Sequence, residues 1–186
     1  MILLILGLLL WTAVHFMRRL APDQRQALQD RFGDGSKGII AAVLLLAIVL
    51  MVIGYRGAEG TVYWSRNSAL TSINNLLMLL AVALLGLGSS KSQFRRHMRH
   101  PMLAGVGIWA IAHLVANGDT PSFVLFGGLA IWAVAQMYVI NRAVPEFTPF
   151  EEGSREGDIR IIVISLAVYI AIALVHSWLG YKAFGG

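Results

Sequence analysis

The chain has no cysteine. That excludes disulfides, zinc–thiolate sites, thiolate-ligated haem and cysteine nucleophiles. Charge is scarce too. Only 13% of the 186 residues are Asp, Glu, Lys or Arg, about half the ~25% usual in soluble domains. No acidic side chain and no lysine falls inside the long apolar runs, so a carboxylate proton relay through a membrane has no components. Neither an internal repeat nor a low-complexity tract is present.

What the sequence does have is hydrophobic residues, 57% of the total, gathered into long runs. This is the signature of an all-α, polytopic membrane protein. A span needs ~20 residues, so the length accommodates about six spans with short loops. No room remains for a soluble catalytic domain. The net charge of +5 sits in the loops and at helix ends, where membrane orientation and anionic headgroups account for it. It does not point to nucleic acid.

The periodicity predicts one membrane domain over 1–186, with spans near 1–20, 39–53, 67–87, 102–116, 122–140 and 159–180. The first apolar segment lacks the positive leader and small-residue cleavage site of a signal peptide. Its charges, Arg18 and Arg19, come after it, so it is expected to be retained as a helix. Residues 21–38 read as a loop with a turn at Gly33-Asp34-Gly35-Ser36. Tyr63 and Trp64 suit an interfacial aromatic belt. Asn67, Thr71, Asn74 and Asn75 give the third span a polar face. Pro101 is placed to open the fourth span, which is short. Asn117 and Asp119 are placed to cap its outer turn. Loops 21–38, 88–100 and 141–158 hold most of the Lys and Arg, whereas the C-terminal tail has only Lys182. The positive-inside rule therefore puts those three loops in the cytoplasm and both termini in the periplasm of a bacterial inner membrane.

Five histidines are the main candidate ligands. His97 belongs to the basic loop and reads as solvated, and His100 sits at the entry to the fourth span. His15, His113 and His176 lie within apolar helices. Ionisable groups there face the bundle interior and are candidates for function. The competing reading is neutral imidazoles that hydrogen-bond between helices. Three histidines without carboxylates favour a haem or metal site, which needs only imidazoles. Gly105, Trp109, His113 and Asn117 recur every four residues and form a stripe. Gly105 leaves space for a flat ligand or another helix, and Trp109 supplies an aromatic wall. Depth along the helices compares the possible partners. At ~1.5 Å per residue, His113 lies about 18 Å from Pro101, His176 about 25 Å from Ile159, and His15 about 7 Å from Leu20. Depth slightly prefers His176 as the partner of His113.

The run Arg99-His100-Pro101-Met102-Leu103-Ala104-Gly105, followed by Trp109, Ala112-His113-Leu114 and Asn117-Gly118-Asp119, resembles the NnrU family of bacterial inner-membrane proteins. The six-span length and the late histidine of the first helix also fit. That resemblance implies a link to denitrification, in the reduction of nitrite and nitric oxide. The family includes the plant zeta-carotene isomerase, which uses haem b to isomerise a cis double bond of a carotenoid. Its ligands are similar in position to His113 and, more loosely, to His15, so the resemblance makes His113 and His15 the expected metal ligands, with His176 ranked third. The resemblance thus implies haem b, an isomerase-like or redox role, and a hydrophobic substrate or nitric oxide as partner. It leaves a non-enzymatic assembly or regulatory factor as the alternative. Arg-His-Pro-x-x-x-Gly is also similar to a motif of membrane thiol methyltransferases. Here the stretch Glu146–Glu152 is only a faint echo of the segment that follows that motif.

Overall fold

The computed structural model describes residues 1–181, so Lys182 lies outside the described residues. Seven helices follow in order: α1 (Ile2–Leu20), α2 (Pro22–Phe32), α3 (Gly35–Arg56), α4 (Ser68–Leu87), α5 (Pro101–Ala116), α6 (Thr120–Ala143) and α7 (Arg155–Trp178). Among the described residues, α1, α3, α4, α6 and α7 are long and apolar enough to cross a membrane. The remaining apolar helix, α5, has 16 residues, about 24 Å at ~1.5 Å per residue. Large apolar side chains cover the outside, with Leu76 71% and Ile131 72% exposed. Water does not tolerate such a continuous apolar surface, but lipid does. The chain is a multi-pass membrane protein.

One element departs from the sequence expectation. Within residues 21–38, where a loop is expected, Pro22–Phe32 form a helix, α2, and α3 begins at Gly35. The local chemistry explains this. Pro22 occupies the first turn and Asp23 sits near the positive helix end. Arg25 donates to Gln29 and Gln26 to Asp30 at the i,i+4 spacing. Gly33, at φ +54°, stops the helix. No residue of α2 is buried, so no apolar period marks it. The other boundaries move by at most four residues, with α3 starting at Gly35 and α7 at Arg155.

Helix pairs α1/α3 and α4/α5 make the most extensive contacts, and α6 joins them. Gly7 lies so close to Ala47 and Met51 of α3 that a Cβ would meet Ala47 O at 2.8 Å. Gly54 lies equally close to the Leu4 backbone. Two glycines thus let α1 and α3 touch main chain to main chain, as small residues do between membrane helices. A cluster of Leu4, Met51, Ala110, Phe126 and Leu129 ties α1, α3, α5 and α6 together.

At one end of the bundle, β1 (Val62–Trp64) pairs antiparallel with β2 (Gly118–Asp119). The Trp64 ring lies on Gly118, and its indole N–H donates to Val115 O at 3.2 Å. The expected aromatic-belt residues are therefore partly structural. Asp119 caps α6 by accepting from Ser122 N at 2.8 Å. Asp119→Ala is expected to destabilise the fold by about 1 kcal/mol, measured as a lower thermal midpoint of the purified protein in detergent. At the opposite, arginine-rich end, Asp158 accepts from Ser92 Oγ at 2.6 Å and from Gln93 N at 2.8 Å. It anchors the 88–100 connection to the start of α7.

Candidate functional site

Five helices contribute to a cavity of about 290 Å³ at the end of the bundle opposite the arginine-rich loops. α5 contributes His113, Ala116 and, just beyond its end, Asn117. α7 contributes Tyr169, Ile172, Ala173 and His176. α4 supplies Asn74, Asn75 and Met78. Phe126 of α6, Tyr55, Arg66 and Tyr181 complete the lining. Arg66 and Tyr181 are exposed, so the cavity reaches the surface. Its volume lies at the lower edge of the ~300–1,000 Å³ of small-ligand sites.

The two imidazoles are held alike. His113 Nδ1 bonds Trp109 O at 2.9 Å, and His176 Nδ1 bonds Ile172 O at 2.8 Å. A carbonyl oxygen only accepts, so each Nδ1 carries the proton. Each Nε2 is therefore left as a lone-pair donor, the tautomer a metal-binding imidazole uses when its other nitrogen is engaged by a carbonyl. The local structure fixes His113 further. Its ring stacks on Phe126 at 4.6 Å and 29°, with Trp109 at 4.8 Å on another side. Asn117 Nδ2 donates to His113 O at 2.8 Å, and Asn74 Nδ2 to Ala112 O at 2.8 Å. The polar face expected of α4 thus bonds to α5, lines the cavity, and, through Thr71, engages Arg66 Nε at 2.9 Å.

His15 is elsewhere. Its Nδ1 bonds Trp11 O at 2.9 Å, and its ring sits between Trp11 at 4.2 Å and Trp132 at 4.9 Å. Gln136 Nε2 reaches His15 O at 3.5 Å. His15 is not among the residues lining the His113 cavity. The structure therefore brings His113 and His176 to one cavity and puts His15 in a separate aromatic cluster. Gly105 is not at the cavity either. A Cβ there would meet Leu85 N at 2.9 Å and Ala81 O at 3.0 Å, so its role is the close packing of α5 on α4. Trp109 packs beside His113 without lining the cavity.

The NnrU protein family model matches residues 3–183. The chain belongs to the NnrU family. No curated protein and no solved structure matches it. Within this family member, the Arg-His-Pro run divides as its geometry dictates. His100 donates to Asn141 Oδ1 at 2.7 Å at the arginine-rich end, and His113 faces the cavity with His176. Among the described residues, no three His, Cys, Asp or Glu side chains converge. Two imidazoles do, and two suffice for axial ligation of haem.

The lining residues offer two neutral imidazoles, apolar walls from Met78, Ala116, Ile172 and Ala173, and no carboxylate. Arg66 puts positive charge at the open rim. Sequence reasoning singled out His15, His113 and His176, with Tyr169 on the same side of its helix as His176, but gave no role to Tyr55 and Phe126. Tyr55 OH is paired with Ser122 Oγ at 2.9 Å. Tyr55 and Phe126 lie on different helices, α3 and α6, and only their convergence reveals them.

Proposed function

We propose that this NnrU-family protein resides in a bacterial inner membrane and holds haem b in this cavity. His113 and His176 would hold it through their Nε2 atoms. Its role is redox or isomerase-like and is linked to the reduction of nitrite and nitric oxide. One observation carries the reading. Two histidines from different helices line one membrane cavity, each with Nδ1 committed to a carbonyl and Nε2 left for a ligand. Bound there, haem supplies a redox-responsive iron that can act on nitric oxide or on a polyene.

The chain's own residues do the rest. Phe126 and Trp109 set the plane of the His113 ring. Asn74 and Asn117 hold the α5 turn that carries it. Met78, Ile172 and Ala173 keep water from the inner wall, and Arg66 places a cation at the mouth. His15 takes no part as a ligand in this arrangement.

The test is optical. The full chain, expressed with ample haem and purified in detergent, is expected to show a Soret band and a stoichiometric pyridine haemochrome. A folded, colourless protein would sink the haem reading, and a non-enzymatic membrane factor would then account for the fold.

A further inference from the structure

A second pocket, about 560 Å³ in volume, lies at the opposite, arginine-rich end of the bundle. It opens between the end of α4 and the start of α5 and is covered by the strand-less segment after α6. Arg95, Arg99 and His100 line it together with Phe147 and Phe150. These basic groups are held in place. The Arg95 guanidinium lies 4.1 Å from the centre of the Phe150 ring and donates to Ser90 O at 3.2 Å. Arg99 lies 6.0 Å over Phe147 and donates to the carbonyls of Val144 and Pro145. A guanidinium has more N–H donors than these carbonyls use.

No carboxylate lines the pocket, although Glu146, Glu151 and Glu152 stand in the neighbouring segment. Among the described residues, neither arginine is paired with an acid. Two fixed, uncompensated guanidinium groups in a concavity make an anion site. Apart from Ser89 and Thr148, the remaining wall is apolar. Pro101, Met102 and Leu103 line it, and Met102 is 57% exposed on the outside of α5. The site lies between Leu87 and Pro101, where two apolar helices end, and so at headgroup depth.

We infer that this pocket binds the phosphate of an anionic phospholipid, with Arg95 and Arg99 on the phosphate and Met102 and Leu103 along the first part of an acyl chain. A basic pocket between helices is how membrane proteins select such headgroups. A soluble phosphate ester would meet the same two arginines but would leave the apolar wall unused. The inference goes beyond the haem proposal and does not depend on it.

Native mass spectrometry of the full chain tests it. The protein is released from micelles containing equal amounts of phosphatidylglycerol and phosphatidylcholine. One phosphatidylglycerol is expected to stay bound in preference to phosphatidylcholine. Arg95→Gln is expected to reduce its retention about fivefold, whereas Arg18→Gln, which removes the same charge elsewhere on that face, leaves it unchanged. Excess glycerol 3-phosphate is expected to displace none of it.

Equal retention of the two lipids would overturn the inference, and so would equal effects of the two substitutions. Full displacement by glycerol 3-phosphate would overturn the lipid assignment in favour of a soluble phosphate ester. If Arg95→Gln fails to fold, Arg95→Lys, which keeps the charge but loses the planar fork, replaces it. Retention should then fall while a preference for phosphatidylglycerol persists. Unchanged retention in that variant would also overturn the inference.

Discussion

His176→Ala is expected to remove the six-coordinate, bis-imidazole haem spectrum, and His113→Ala is expected to do the same. Haem content should fall by at least about tenfold in each, since even outer-shell partners of a metal ligand are worth about 10–100-fold in affinity. His15→Ala should keep the wild-type spectrum, because its imidazole belongs to the Trp11–Trp132 cluster and does not line the cavity. The reason for the contrast is local. His113 and His176 each hold Nδ1 on the carbonyl four residues earlier, but so does His15. The tautomer therefore does not separate the three; the shared cavity does. Imidazole added during expression is expected to restore the low-spin spectrum to the two alanine variants, since each leaves a hole the size of the lost ring. Loss of haem in His15→Ala, with retention in His176→Ala, would assign the second ligand to α1 instead.

Gly54→Leu is expected to have the largest effect on the fold. A Cβ at residue 54 falls against the backbone of Leu4, with Leu4 Cα at 2.7 Å and Leu3 C at 2.8 Å. Backbone cannot rotate away as a flexible side chain can. Overpacking costs about 1–3 kcal/mol where side chains can adjust, and this site exceeds that range because two helix main chains must separate. Gly7 makes the reciprocal contact with α3, so the α1/α3 crossing has no slack at either end. The expected readout is loss of the monodisperse peak in size-exclusion chromatography. Gly107→Ala is the matched control. Nothing lies within 4 Å of a Cβ there, and alanine is the better helix former by about 1 kcal/mol. That variant should be at least as stable as the wild type. If Gly54→Leu purified with an unchanged melting point, the main-chain contact would be disproved.

Much of this architecture could be read from hydropathy, because lipid demands long apolar helices and the sequence has them. The helix start at Pro101, the cap of α5 at Asn117 and the polar face of α4 were legible for the same kind of reason: each is a local rule; Asp119, expected at that same cap, instead opens α6. α2 was not, since its helix rests on polar i,i+4 pairs and a proline start with no buried face. Among the histidines, helix depth slightly preferred His176 as the partner of His113, while the family resemblance put His15 ahead of it. The sequence could not separate packing from lining. Gly105 illustrates this, because a gap for a ligand and a gap for a neighbouring helix leave the same residue in the sequence. Phe126 shows the converse, since nothing in its own helix marks it as the ring beneath His113.

That ring owes its position to a wide, five-residue turn at Phe123–Gly127. Such a turn is one residue added to an otherwise regular helix. Upstream of its end, Phe126 lies against His113. Beyond it, Trp132 lies against His15. Deleting a single residue within 123–127 would turn all that follows by about 100° and shift it by about 1.5 Å. The two imidazoles could then no longer both keep their aromatic neighbours. The helix therefore tolerates substitution here far better than a change of length, and the added residue works as a phase setting between the two histidine environments.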